Sequence, residues 1–161
     1  MEYVIAVGAN LGDASTVVDH ALASLAAHLD GDLVSRSSLY STSPVGVVDQ
    51  PDFVNAVAII DTALQPREVL ARLQDLENRA GRVRDVNWGP RTLDLDVILA
   101  EGLVSDDPDL TLPHPRAHER AFVLVPWLEI DPQAQVPGKG MVRDLVAAGF
   151  PGQEITVLEP R

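Results

Sequence analysis

The sequence predicts an α+β fold: an antiparallel sheet with helices on one face, plus a C-terminal α/β extension. Three observations lead there. Apolar and β-branched runs of strand length alternate with stretches of helical period in the order strand, helix, strand, strand, helix, strand. Gly, Pro, Asn and Ser punctuate the changes of period. The chain has 161 residues, enough for a single domain, residues 1–161, with a real core. No internal repeat, low-complexity stretch or linker divides it.

Residues 3–7 read as a first strand ending in the turn Gly8-Ala9-Asn10-Leu11-Gly12. A helix follows over about residues 14–29, with Val18, Leu22, Leu25 and Leu29 on one stripe. Residues 33–40 form a second strand. Ser43-Pro44-Val45-Gly46 opens a loop that runs through Gln50-Pro51. Residues 53–61 are the third strand. Pro66 starts a second helix, with Val69, Leu70, Leu73 and Leu76 buried and Gly81 at its end. A loop over residues 82–91 leads to a fourth strand over residues 92–99. This is the ferredoxin-like β-α-β-β-α-β order. The remainder carries short strands near Leu103-Val104 and over residues 110–112. Helices are expected over residues 121–128 and 142–148, and a last strand over residues 155–158.

Composition narrows the chemistry. There is no cysteine, which excludes disulfides, thiolate metal sites and cysteine nucleophiles and suits a reducing cytoplasm. The N-terminus lacks a basic region and runs straight into a strand, so no signal peptide is expected. No uncharged apolar run approaches a membrane span. A formal charge of −12 argues against nucleic acid and anionic membrane as partners. The positive charge is concentrated: of 11 Arg and one Lys, six Arg (67, 72, 79, 82, 84 and 91) lie within 25 residues, against four acids. Arg67 and Arg72 read as a solvated helix face. Arg82, Arg84 and Arg91 flank a loop leading into the fourth strand, and Arg suits bidentate phosphate recognition.

That strand begins Thr92-Leu93-Asp94-Leu95-Asp96-Val97-Ile98. Side chains two apart share a face, so Asp94 and Asp96 stand side by side, with Cβ atoms roughly 6–7 Å apart. In the expected topology they lie on the sheet's open face, away from the helices. A solvated polar row is the ordinary reading of Asp-x-Asp in a strand. Arg91 and the rigid Gly89-Pro90 just upstream point instead to Mg²⁺, which binds through one or two carboxylates and substrate phosphates. Acids hold metal, metal holds polyphosphate, and arginines offset the remaining charge.

Other nucleotide signatures are missing. The lone Lys139 lies in Pro137-Gly138-Lys139-Gly140, which is not a Walker A loop. No strand carries a kinase lysine, and no G-x-G-x-x-G occurs. His114 and His118 are four apart, but Pro113 and Pro115 oppose a regular helix there and no third nitrogen ligand is evident, so zinc is not expected. Residue chemistry alone reaches a Mg²⁺-assisted polyphosphate site, and leaves open a non-catalytic ferredoxin-like ligand-binding domain and a Mg²⁺-dependent nucleotide enzyme.

A family resemblance narrows these. Gly89-Pro90-Arg91-Thr92-Leu93-Asp94-Leu95-Asp96 resembles the signature of 6-hydroxymethyl-7,8-dihydropterin pyrophosphokinases of folate biosynthesis. Gly8-Ala9-Asn10-Leu11-Gly12, residues 40–46, residues 50–56, Gly81-Arg82-Val83-Arg84, residues 112–116 and residues 119–124 resemble further family segments in the right order. The resemblance covers nearly the whole chain. It implies transfer of the β,γ-pyrophosphoryl group of ATP to the pterin hydroxymethyl group, releasing AMP. The expected partners are small molecules only, with ATP as co-substrate and two Mg²⁺ ions, in a cytoplasmic monomer.

The resemblance also implies roles by position. Asp94 and Asp96 would bind both metal ions, and Arg82 and Arg91 would act on the phosphates beside them. Glu77, Arg84, Trp88, Arg91, Ile98, Thr111, His114 and Arg120 would form the nucleotide side. Thr42, Pro44, Val45, Gly46, Phe53, Asn55, Trp88, Asp94 and Phe122 would form the pterin side, with Phe53 and Phe122 sandwiching the ring and Asn55 pairing its edge. Gly81 and Gly89 are candidate hinges for a loop that excludes water. Relatives often carry Arg where Asn87 stands and Tyr where Phe53 stands.

Overall fold

The computed structural model describes residues 1–10, 12–43, 52–80 and 93–158. Among the described residues, ten strands and four α-helices follow in chain order. They are β1 (Glu2–Ala9), α1 (Ala14–His28), β2 (Asp32–Arg36), β3 (Tyr40–Thr42), β4 (Phe53–Asp61), α2 (Pro66–Arg79) and β5 (Asp94–Ala100). The C-terminal part adds β6 (Ser105–Asp107), β7 (Leu110–Leu112), α3 (Ala121–Ile130), β8 (Gln135–Val136), β9 (Gly140–Met141), α4 (Val142–Ala148) and β10 (Ile155–Val157). The main sheet runs β10-β3-β4-β1-β5, with β2 also paired to β4, and every pair is antiparallel.

Local chemistry sets the helix starts. Asp13 caps α1 by accepting the Thr16 N–H at 3.3 Å, which together with the Thr16 hydroxyl holds its carboxyl below the usual range. Before α2, the Glu68 side chain accepts the Gln65 N–H at 3.0 Å, and Pro66 opens the helix.

The central strand β1 is buried on both faces. Tyr3, Ile5, Val7 and Ala9 join Val18, Leu22 and Leu25 of α1 and Val69, Leu73 and Leu76 of α2 in one core. Val4 and Ala6, with Val57, Ile59 and Ile98, pack in a second core against Val123, Leu124 and Trp127 of α3. This corrects the expectation of helices on one face only. The C-terminal extension folds back and covers one end of the second face. The sequence conceals this because α3 is apolar around most of its surface and lies far along the chain from the strands it covers.

Other boundaries differ as well: β1 runs on through Gly8 and Ala9, where a turn is expected, and α3 extends to Ile130. The single strand expected over residues 33–40 is two strands. At the break, Ser37 donates its N–H to the Val57 carbonyl at 2.9 Å, and its hydroxyl accepts the Val57 N–H at 2.9 Å. A side chain replaces the main-chain acceptor, so the ladder is interrupted. The strand expected near Leu103-Val104 starts instead at Ser105. Gly102 has φ +76° and Leu103 donates to the Ala100 carbonyl at 3.0 Å, so the chain turns there. Among the described residues no helix is long and apolar enough to cross a membrane.

Candidate active site

The uncovered end of the second sheet face is the floor of a cavity of about 520 Å³. Gly8 sits at its centre, paired to Asn55 of β4 on one side and to Asp94 of β5 on the other. One register step away, Ala6 pairs with Asp96. Small residues on β1 therefore leave room between the polar side chains of its two neighbours. Gly8 has no alternative here, because a Cβ would lie 2.7 Å from the Asn55 Oδ1. Asp94 and Asp96 both line the cavity, as do Thr42, Phe53, Asn55, Arg120 and Phe122. The aspartates occupy the open end of a face whose other end α3 covers, rather than a wholly open face.

Asn55 is buried, and its Nδ2 donates to the Thr42 hydroxyl at 2.8 Å. That bond orients the amide with its oxygen over Gly8. Phe53 and Phe122 are half-buried on the cavity wall. The Arg120 guanidinium lies 5.4 Å from the centre of the Phe122 ring, a cation–π arrangement that fixes both. Arg116, Glu119, Gln153 and Glu154 complete the rim. Sequence reasoning missed these four and Gly8. The arrival of the C-terminal segment at this rim leaves no trace in local sequence pattern.

β5 is the last strand of the sheet, so its outer backbone groups need partners. Glu77, buried on α2, accepts the Leu95 N–H at 2.8 Å, between the two aspartates. The His114 N–H donates to the Ile98 carbonyl at 2.8 Å. His114 is half-buried, and its Nδ1 accepts the Arg116 N–H at 3.2 Å, which leaves the proton of the neutral ring on Nε2. Burial and the nearby Arg120 and Arg116 lower its pKa, against an opposing pull from Asp94.

Four expected residues stand outside the cavity wall: Glu77, Ile98, Thr111 and His114, the last packed along β5 beside it. Glu77 holds the strand from the α2 side. Ile98 is 1% exposed within the second core, so its side chain packs against α3. The Thr111 hydroxyl donates to the Asp107 carbonyl at 3.0 Å within the β6–β7 hairpin. Pro44, Val45, Gly46, Arg82, Arg84, Asn87, Trp88 and Arg91, with Gly81 and Gly89, lie outside the described residues.

Asp94 and Asp96 offer only oxygen donors. Among the described residues, no group of three or more His, Cys, Asp and Glu is placed to hold a metal ion by itself. An ion held here would need the rest of its shell from water and a ligand, which fits Mg²⁺ better than zinc.

The model of the 7,8-dihydro-6-hydroxymethylpterin-pyrophosphokinase family matches residues 4–132. The chain belongs to that family. A pyrophosphokinase of Bacillus subtilis, named for 2-amino-4-hydroxy-6-hydroxymethyldihydropteridine, is 44% identical over 131 residues, covering 81% of this chain and 78% of the Bacillus protein. The Pseudomonas aeruginosa protein of the same name is 42% identical over 151 residues, covering 93% of each chain. Among solved structures, a Plasmodium falciparum HPPK-DHPS triple mutant matches with a TM-score of 0.67 at 14% identity, over 91% of this chain. The chain spans 44% of that solved chain, so the likeness is one of fold over less than half of it. The family match runs from β1 through α3 and so takes in the strand registers that bring Asn55 and the aspartates together.

Proposed function

We propose that the chain transfers pyrophosphate from ATP to the hydroxymethyl group of 6-hydroxymethyl-7,8-dihydropterin, giving AMP and the pterin diphosphate, a step of folate biosynthesis. The observation that carries this is the register Asn55-Gly8-Asp94. It sets the Asn55 amide beside the Asp94 carboxylate in a cavity that Phe53, Phe122 and Asp96 also line, which supports a flat alcohol bound next to a metal-dependent phosphate site.

Phe53 and Phe122 stack on the pterin faces, and Asn55 and Thr42 read its donor and acceptor edge. The resemblance assigns Pro44, Val45 and Gly46 to the pterin side as well. Asp94 and Asp96 would hold Mg²⁺, for which we propose two ions, and the metal would supply charge neutralisation of the phosphates. Arg120 offsets part of the remaining phosphate charge and the neutral His114 can donate its Nε2–H to phosphate; the resemblance assigns Arg82 and Arg91 to the phosphates and Arg84 and Trp88 to the nucleotide. Glu77 acts by holding β5. The hydroxymethyl oxygen attacks the β-phosphorus, the α–β bridging bond breaks, AMP leaves, and the hydroxyl proton passes to solvent. Catalysis is mainly positioning and charge stabilisation. The four strands β5-β1-β4-β2/β3 are read as a ferredoxin-like core in a single domain. The chain is read as a cytoplasmic monomer whose partners are small molecules.

An omission assay tests the function. The protein is incubated with ATP, Mg²⁺ and the pterin, each is left out in turn, and AMP is followed. AMP that needs all three is expected. Product from ATP and Mg²⁺ alone would point to another nucleotide enzyme, and pterin binding without AMP would point to a binding domain.

A further inference from the structure

Gln153 reaches from the C-terminal segment to both sides of Arg120. Its Oε1 accepts the Ala121 N–H at 3.0 Å, and its Nε2 donates to the Glu119 carbonyl at 2.8 Å. One amide thus brackets the residue between. The bracket sits where α3 begins and backbone N–H groups lack intrahelical partners. Arg120, at the N-cap position, makes no side-chain capping bond, so the cap comes from another part of the chain.

Gln153 is itself held on both sides. Its N–H donates to the Phe150 carbonyl at 3.1 Å, and the Phe150 ring packs on the second core. Beyond it, Ile155 pairs with Thr42 and the Leu158 N–H donates to the Leu39 carbonyl at 2.8 Å. The segment therefore links the Thr42 edge of the cavity to the Arg120–Phe122 edge. It lies past residue 132, where the family match ends.

We propose that Gln153 is a positioning residue for the pterin. It fixes the backbone around Arg120, so that the Phe122 ring keeps its place opposite Phe53. This rests on the pyrophosphokinase reading above. Only a primary amide of this length serves. A carboxylate turns the donor into an acceptor facing the Glu119 carbonyl, and a thioether keeps the volume but neither bond.

The test compares full-length wild type, Gln153→Met, Gln153→Glu and, as a control on β10, Thr156→Ala. Steady-state AMP formation gives KM and kcat. Pterin fluorescence, with Mg²⁺ and a non-hydrolysable ATP analogue, gives Kd without turnover. Both Gln153 variants are expected to raise pterin KM and Kd about fivefold to tenfold, the scale of one or two lost hydrogen bonds. Their kcat stays within about twofold of wild type on the same scale, and Thr156→Ala matches wild type. Wild-type pterin affinity in Gln153→Met overturns the proposal, even if its thermal midpoint falls, because the role is then only structural. If wild type binds pterin but forms no AMP, the pyrophosphokinase reading fails while the Kd comparison still decides the role of Gln153. If wild type binds no pterin, both fall.

Discussion

Asn55 and Asp94 face each other across a single residue, Gly8, which pairs with both in the sheet. The middle residue has no side chain because the Asn55 amide occupies that space. Gly8→Ala would place a methyl group 2.7 Å from the Asn55 Oδ1. The amide must swing away, breaking its bond to Thr42, at a cost of about 1–3 kcal/mol for overpacking. A rise in pterin KM of about tenfold or more is expected, with a lower thermal midpoint. Unchanged pterin affinity would mean that Asn55 does not read the pterin.

Asp96→Ala removes half of the carboxylate pair on the cavity floor. Turnover should fall at least about 100-fold, the scale of a lost transition-state charge contact, with circular dichroism like wild type. Wild type should gain thermal stability from Mg²⁺ with a nucleotide analogue, because a ligand that binds only the folded state stabilises it. The variant should gain much less. Near-normal turnover in a folded variant would remove this residue from the metal site.

The sheet was largely legible in the sequence, and the layer over its second face was not. β4 and β7 have the expected bounds because their apolar runs end at clear turn residues. Ser37 broke the expected second strand by a side-chain bond that no periodicity reveals. Asp94 and Asp96 were legible because residues two apart on a strand share a face, whereas Phe53 and Asn55 read as core or edge residues and entered the site only through the family resemblance. Gly8 read only as part of a turn, since its need for a missing Cβ arises from Asn55, 47 residues away. Gln153 was invisible for the same reason: its partners are chosen by tertiary folding. Ile98 was placed in the nucleotide site by resemblance, yet its side chain is core.

His114 is held below its ordinary pKa of 6.5, first by burial and then by Arg120 and Arg116. The folded state therefore binds fewer protons at this site than the unfolded state. Its contribution to stability is complete above pH 6.5 and is lost as pH falls from there towards the depressed value. A ring NMR titration of the ligand-free protein should give a midpoint below 6.5, and His114→Gln should weaken the dependence of the thermal midpoint on acid. A midpoint at or above 6.5 would contradict the burial and the charge arrangement described.

The Tyr40 hydroxyl donates to the Glu129 carboxylate at 2.7 Å, and Ser38 donates to the same group from its N–H and hydroxyl. Burial, then the bond and charge of Glu129, raises the Tyr40 pKa well above the usual value. Glu129 thereby ties α3 to the sheet beside the cavity. Tyr40→Phe should cost about 1.5–3 kcal/mol in urea unfolding, the range for a hydrogen bond to a charged group. An unchanged unfolding midpoint would show that the bond adds no net stability.

The central claim is that Asp94 and Asp96 together hold the metal that docks the triphosphate beside the pterin. A crystal structure with Mg²⁺, a non-hydrolysable ATP analogue and the pterin tests it most directly. Oxygens of both aspartates are expected at about 2.0–2.1 Å from Mg²⁺ that also touches the phosphates, with the pterin between Phe53 and Phe122. A nucleotide bound with its metal away from both carboxylates would contradict the account.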